Sequence, residues 1–290
     1  MSTVFWDTHS EIEMRRLTPA DIPAADALRN ASGWNQIPAD WERLLMLEPD
    51  GCFAAQRAGT IVGTATTTRY GAKLAWIGMV LVHPDHRRQG IARALMEHCL
   101  RYLKNCGVQS IKLDATPHGH PLYTQLGFVE EWTLARWECA APAISTELLG
   151  VRPLLESDWE TLIEMDAGAI GAPRGALLRA LYQSALCTFV ADLNGIIKGF
   201  GMLRSGAYAD YLGPLVATDS TSAAQLAYAL LVSAAGPVIW DIPDPNVEAE
   251  ALAGRLGFSR VRPFTRMWLG QNARTSQPQH LFAIADPATG

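Results

Sequence analysis

Residues 76–95 read Trp76-Ile-Gly-Met-Val-Leu-Val-His-Pro-Asp-His-Arg-Arg-Gln-Gly-Ile-Ala-Arg-Ala-Leu. An apolar run, a short loop with two arginines and a glycine, and a helical pattern follow one another. A helix amino terminus leaves its first N–H groups without partners inside the helix, and its dipole favours negative charge there. Gly90 lets the backbone approach a ligand closely, and Arg87 and Arg88 add positive charge. Arg87, Arg88, Gln89, Gly90, Ile91 and Ala92 therefore form a candidate site for a phosphate or pyrophosphate. The stretch is neither a Walker loop nor a GxGxxG dinucleotide fingerprint.

A second polar cluster follows in Asp114-Ala-Thr-Pro-His118-Gly-His120-Pro-Leu-Tyr123. It reads as a Pro/Gly-rich loop closing a strand, a common place for functional side chains. Asp114, His118 and His120 are candidates for a base or for acceptor contacts. No third ligand motif accompanies the His-x-His pair, so no metal is expected. His83 and His86 read as residues of a surface turn. Cys52, Cys99, Cys106, Cys139 and Cys187 form no CxxC pair; an odd, sparse set fits packing in a reducing cytoplasm.

The elements that must position these groups are legible nearby. Residues 76–82 are almost continuously apolar and read as a buried strand that Pro84 ends. Ile91, Leu95, Met96, Cys99, Leu100 and Leu103 mark the inner face of a helix, with Arg93, Glu97, Arg101 and Lys104 outside. Gly107 is placed to stop it.

The pattern occurs twice. Phe53-Ala-Ala-Gln-Arg-Ala-Gly59-Thr-Ile-Val-Gly63 matches Phe189-Val-Ala-Asp-Leu-Asn-Gly195-Ile-Ile-Lys-Gly199, each a strand–turn–strand signature. Leu126-Gly-Phe128 matches Leu256-Gly-Phe258, and short β-like runs then lead to Trp137 and Trp268. Both copies open on a helix start: Thr18-Pro19-Ala20-Asp21, and a capping box at Ser157-Asp158-Trp159-Glu160. Matches in a conserved order indicate two copies of one α/β fold. The expected division is a first domain at 1–139, a linker at 140–149, a second domain at 150–270 and a tail at 271–290. His280-Leu-Phe-Ala-Ile-Ala285 in that tail can add a final strand.

Composition agrees with two folded domains. The 290 residues are 49% hydrophobic and 18% charged, enough apolar material for real cores. The net charge of −5 argues against nucleic acid or an anionic membrane as a bulk partner. No apolar run reaches the ~18 residues of a membrane-spanning helix. The first sixteen residues lack the basic-then-apolar pattern of a signal peptide, so a cytoplasmic protein is expected.

Arg87-x-x-Gly90-x-Ala92 resembles the Arg/Gln-x-x-Gly-x-Gly/Ala motif of the GNAT superfamily of acyl-CoA N-acyltransferases. Val80-Leu81-Val82-His83-Pro84 resembles that family's fourth strand, and Leu122-Tyr123-Thr124-Gln125-Leu126-Gly127-Phe128 its helix-then-LGF ending. The resemblance implies two tandem GNAT-like domains of the α+β kind, each a mixed, mostly antiparallel sheet flanked by helices. It also implies acetyl-CoA as co-substrate, its pyrophosphate on the Arg87–Ala92 loop. The backbone of Val80, Leu81 and Val82 would take the pantetheine arm, with the Val80 N–H as oxyanion donor. Tyr123 would protonate the departing thiolate.

Two positions depart from the pattern. Thr116 stands where many relatives have an asparagine that bonds the cofactor arm, and is kept as a cofactor contact. Trp76 stands where many have a glutamate base, so any base lies elsewhere. The early tryptophans Trp6, Trp34 and Trp41 fall where the family's first helices overhang the acceptor groove, and Trp34 is carried as an acceptor contact.

The second copy lacks the Arg-x-x-Gly-x-Ala loop and has Ala253 in the place of Tyr123, while Asn246 takes the place of Thr116. It is expected to be degenerate and not to bind acetyl-CoA in the usual way. Tyr208, Asp210, Tyr211, Asp241 and Asp244 are residues it could turn toward a cationic acceptor. The expected activity is acetyl transfer to a primary amine, on a small molecule or a peptide, by a monomer or homodimer. A non-catalytic acyl-CoA sensor, another acyl group or a hydroxyl acceptor are the alternatives.

Overall fold

The computed structural model describes residues 12–142, 150–271 and 276–290. Trp6 and most of the expected linker lie outside them. The first half runs β1 (Glu13–Arg16), α1 (Ile22–Ala31), α2 (Pro38–Leu47), β2 (Cys52–Arg57), β3 (Thr60–Tyr70), β4 (Leu74–Val82), α3 (Ile91–Asn105), β5 (Ser110–Ala115), α4 (His120–Gln125) and β6 (Val129–Cys139). The second repeats the order with β7 (Val151–Pro153), α5 (Trp159–Ile170), α6 (Gly175–Gln183), β8 (Ala185–Leu193), β9 (Ile196–Arg204), β10 (Asp210–Ala217), α7 (Ser220–Val232), β11 (Val238–Pro243), α8 (Val247–Arg255) and β12 (Ser259–Gly270). A short strand, β13 (Leu281–Ala283), follows.

Local chemistry explains the repeat. Both hairpins turn on a residue pair with positive φ, Ala58-Gly59 and Asn194-Gly195, the geometry that follows the twist of paired strands. Each half also opens on one carboxylate. Asp21 accepts the Thr18 N–H at 2.8 Å and holds Arg15 through two 2.8 Å bonds. Asp158 accepts the Leu155 N–H at 2.7 Å and holds Arg152 at 2.7 and 3.0 Å. The Ser157–Glu160 capping box expected for the second half is not formed. A one-turn 3₁₀ segment at Glu156–Asp158 precedes α5, and Asp158 reaches back to the Leu155 N–H in the role expected of Glu160.

Among the described residues the strands form one continuous sheet, in the order β1-β2-β3-β4-β5-β12-β6-β11-β10-β9-β8-β7. Sequence order alone does not give this arrangement. β12, from the second half, lies antiparallel between β5 and β6. β6, from the first half, lies between β12 and β11, both from the second. Each half thus lends its last long strand to the other half's sheet, across the expected linker.

α3 and α4 cover one face of the first half; α1 and α2 cover the other. The inner face of α3 is Ile91, Leu95, Met96, Cys99 and Leu103, all buried, against Phe53, Val62, Ala75 and Ile77 of the sheet. Burying each large side chain there contributes about 1.5–3 kcal/mol. Leu100 is only partly buried. On the far face Leu74 and Trp76 join a core shared with α5 and α6 of the second half. One apolar interior therefore spans both copies. No described helix is long and apolar enough to cross a membrane.

Candidate active site

The site is built where β4 outlasts its neighbour. β4 and β5 pair in parallel only through Leu74–Ser110, Ala75–Ile111 and Trp76–Lys112, yet β4 continues to Val82. Beyond Trp76 the strands part. A bulge marks the same place: the pairing with β3 shifts between Thr64–Leu81 and Thr66–Gly78, and Met79 takes a φ of 48°. Val80 and Val82 face α3, while Met79 and Leu81 join the core under α1 and α2. A bulge next to a parting of strands turns backbone groups away from the ladder.

The arginine loop follows directly. Arg87, Arg88, Gln89 and Gly90 are exposed. Positive φ at Arg88 (60°) and Gly90 (80°) folds the loop onto the start of α3, where Gly90 is the N-cap. Arg87 Nε donates to the Val82 carbonyl at 3.1 Å, tying the loop to the strand's end. A third arginine was not anticipated: Arg57 on β2 donates to Gln89 Oε1 at 2.7 Å. Arg57 and Arg87 are thus both tied to the exposed loop at the start of α3, which also carries Arg88. Nothing lies within 4 Å of where a Gly90 Cβ would stand. The donors suit an anion carrying more than one charge.

Tyr123 sits in α4, 8% exposed, its ring 6.1 Å from that of Phe128. Burial pushes its phenol above the ordinary value, so the hydroxyl keeps its proton at neutral pH. Its hydroxyl lies 3.2 Å from where a Gly119 Cβ would stand, and the ring comes closer still; a side chain there would push the phenol aside. Thr116 Oγ1 accepts the Gly119 N–H at 3.3 Å, so this hydroxyl also caps the turn that carries Tyr123.

The other candidates separate. Asp114 is not a loop residue. It lies in β5 with its carboxylate fully buried, joined to Arg266 of β12 by two 2.8 Å bonds. Both oxygens are committed, which removes it as an acceptor contact in this arrangement. Burial raises its carboxyl against the pull of Arg266. His118 is exposed, whereas His120 is half-buried and stands 2.7 Å from Glu130. His120 also lines an open cavity of about 320 Å³ with Pro117, Pro121, Pro263, Phe264 and Thr265. Trp34 is half-buried against the α1/α2 core. Trp41 is wholly buried. Among the described residues no group of three His, Cys, Asp or Glu could hold a metal.

Trp76 is structural. Its indole N–H donates to the Pro287 carbonyl at 3.1 Å. The Arg266 guanidinium lies between its ring and that of Trp132, 4.5 and 4.2 Å from the centroids. The second half repeats the buried pair, Arg136 of β6 with Asp241 of β11 at 2.9 and 2.8 Å, and Tyr211 adds a 2.9 Å bond to Asp241. Tyr211 and Asp241 are therefore interior residues, while Tyr208 is exposed. The signal for these arginines was present: 136 and 266 differ by 130, the spacing of the two Leu-Gly-Phe elements. Asn35, beside Trp34, clamps the α1–α2 turn to the second half, accepting from Tyr208 and Ala209 N–H and donating to the Ala209 carbonyl.

A sheet that parts at a bulge and an arginine-lined helix start define a GNAT acetyltransferase. The model of the Acetyltransferase (GNAT) family matches residues 17–128, and that of an Acetyltransferase (GNAT) domain matches 162–283. The chain belongs to this family, as a tandem protein with two GNAT domains. Family members typically use acetyl-CoA. It is similar to the uncharacterized N-acetyltransferase YitH of Bacillus subtilis (strain 168), with 25% identity over 285 residues, 96% of this chain and 98% of that one. A putative acetyltransferase from Pyrococcus horikoshii superposes with a TM-score of 0.84 at 26% identity, over 100% of this chain and 99% of that one. A tandem GNAT protein from the clavulanic acid biosynthesis pathway shares the fold, with a TM-score of 0.65 at 15% identity over 90% and 98% of the two chains.

Proposed function

We propose that the first half is an N-acetyltransferase that moves the acetyl group of acetyl-CoA to a primary amine by direct attack. The observation that carries this reading is the parting of β4 from β5 beyond Trp76, immediately before the exposed Arg87–Gly90 loop at the start of α3. Arg57, Arg87, Arg88 and the first N–H groups of α3 supply charge for a pyrophosphate. The backbone of Val80 and Val82, turned away from β3, supplies hydrogen-bonding groups for an amide-bearing arm, while Leu81 between them pairs with Thr64 of β3. The Val80 N–H stabilises negative charge on the thioester oxygen as the amine nitrogen bonds to the carbonyl carbon. When the carbon–sulfur bond breaks, Tyr123 gives its proton to the sulfur, and the proton that the amine nitrogen sheds on forming the amide passes to solvent water, from which the phenolate is reprotonated.

The second half is not a second catalytic centre in this reading. The stretch after β10 has no arginine–glycine loop, and Ala253 of α8, fully buried, stands where α4 has Tyr123.

The test is calorimetry with acetyl-CoA, followed by thiol release with amino acids, polyamines, aminoglycosides and peptides. Binding together with amine-dependent thiol release supports the reading. Binding without release for any acceptor points to a sensor. No binding overturns the site.

A further inference from the structure

The second half has the same parting of strands, and there it is filled. β10 and β11 pair in parallel only through Asp210–Val238, Tyr211–Ile239 and Leu212–Trp240, while β10 runs on to Ala217. In the gap lies β13, antiparallel to β10, with Leu215 opposite Ala283 and Val216 opposite Leu281. Pairing with the preceding strand aligns the halves: Gly63 faces Val82 as Gly199 faces Ala217, and Thr64 faces Leu81 as Phe200 faces Val216. Leu215 and Val216 are thus the counterparts of Val80 and Leu81.

The side chains around β13 hold it as they would a ligand. Trp240 Nε1 donates to the Phe282 carbonyl at 2.8 Å, and the Ile284 N–H donates to the Asp241 carbonyl at 3.1 Å. Asn246, the counterpart of Thr116, donates through Nδ2 to the Gln279 and Leu281 carbonyls, both at 3.1 Å. Its Oδ1 meanwhile caps α8 by accepting the Ala249 N–H at 3.0 Å. Leu281, Phe282 and Ala283 are no more than 1% exposed.

We propose that β13 is the resident occupant of the second half's cofactor cleft. It takes the β10 backbone groups whose first-half counterparts are offered to an acyl-CoA arm, so the chain binds one acyl-CoA and not two. The strand also has an onward task. Past Ile284 the chain crosses to the first half, where Pro287 accepts from Trp76 and the Thr289 carbonyl accepts from the Tyr70 hydroxyl at 2.5 Å. Ala288 lies against Gly78, two residues before Val80. Filling one cleft therefore secures the strap that backs β4 of the other.

Hydrogen exchange on the full chain, with and without acetyl-CoA, together with native mass spectrometry, tests this. Amides of 281–284 are expected to exchange slowly without ligand and to stay slow with excess acetyl-CoA, with one acetyl-CoA per chain. Asn246→Asp keeps the cap acceptor and removes the donor. It should speed exchange at 281–284 by about tenfold or more and leave Ala249 unchanged. Trp240→Phe, which removes one donor, serves if that variant does not fold. Two acetyl-CoA per chain, fast exchange at 281–284 in the wild type, or exchange that rises on adding acetyl-CoA would each overturn the proposal. If no acetyl-CoA binds at all, the function proposed for the first half fails. Exchange without ligand still decides whether β13 occupies its cleft.

Discussion

Asp114 and Arg266, 152 residues apart in the chain, meet in a buried ion pair with two 2.8 Å bonds. It joins a first-half strand to the second-half strand inserted beside it. Removing one partner of such a pair leaves an uncompensated buried charge and costs about 3–5 kcal/mol. Arg266→Met is expected to destabilise the protein by that amount in denaturant unfolding. Asp114→Leu combined with Arg266→Met should recover much of the loss, since neither charge is then left buried.

Acetyl-CoA affinity should depend on the arginine loop. Arg87→Glu replaces a donor with an anion at the helix start, and Kd measured by calorimetry is expected to rise at least about tenfold. Gly90→Glu adds to that the strain of a side chain at a φ of 80°, about 1–2 kcal/mol. An Arg93→Gln variant, one turn into α3, is the matched control.

Tyr123→Phe tests the proton donor. The ring still packs on Phe128, so acetyl-CoA binding should be unchanged. Turnover should fall by about 10²-fold or more if the phenol supplies the proton. Single-turnover rates beside calorimetric Kd values separate the two effects.

Acid should loosen the entrances to both halves. Hydrogen bonds from Arg15 hold the Asp21 carboxyl well below the usual carboxylate range, and those from Arg152 lower Asp158. A carboxyl with a lowered native pKa contributes stability above its unfolded value, about 3.9. That contribution is lost as pH falls through the native value. Stability should therefore decline below about pH 4. Asp21→Asn should be less stable at pH 7 and decline less steeply on acidification.

Gly78→Val should separate the strap from the strand. A Cβ there would stand 2.5 Å from the Ala288 carbonyl oxygen and 2.6 Å from its Cα, so one backbone or the other must move. Melting temperature should drop, and amide exchange at 288–290 should rise.

The parts that follow from short-range spacing were legible in the sequence. The β4 run, the turn at Ala58-Gly59 and the inner face of α3 each depend on neighbours a few residues away, and periodicity reports them. The arginine loop was legible because glycine and arginine at a helix start have few other uses. Asp114 was read as a base or acceptor contact because nothing local shows that its carboxylate is already taken, and the partner that takes it lies 152 residues on. The exchange of β6 and β12 has no local signature. An inserted strand needs only the alternation it would need at home, so the choice of partner is made by packing.

The exchange makes the halves inseparable in a practical sense. A chain severed within 143–149 would give one fragment whose β6 has left both its sheet neighbours, β11 and β12, on the other. The second fragment would carry a β12 whose neighbours, β5 and β6, are both on the first. Each piece is the missing scaffold of its mate, which makes the two natural subjects for fragment complementation. A substitution at this seam is felt by both copies at once, since every strand along it has a neighbour from the other half.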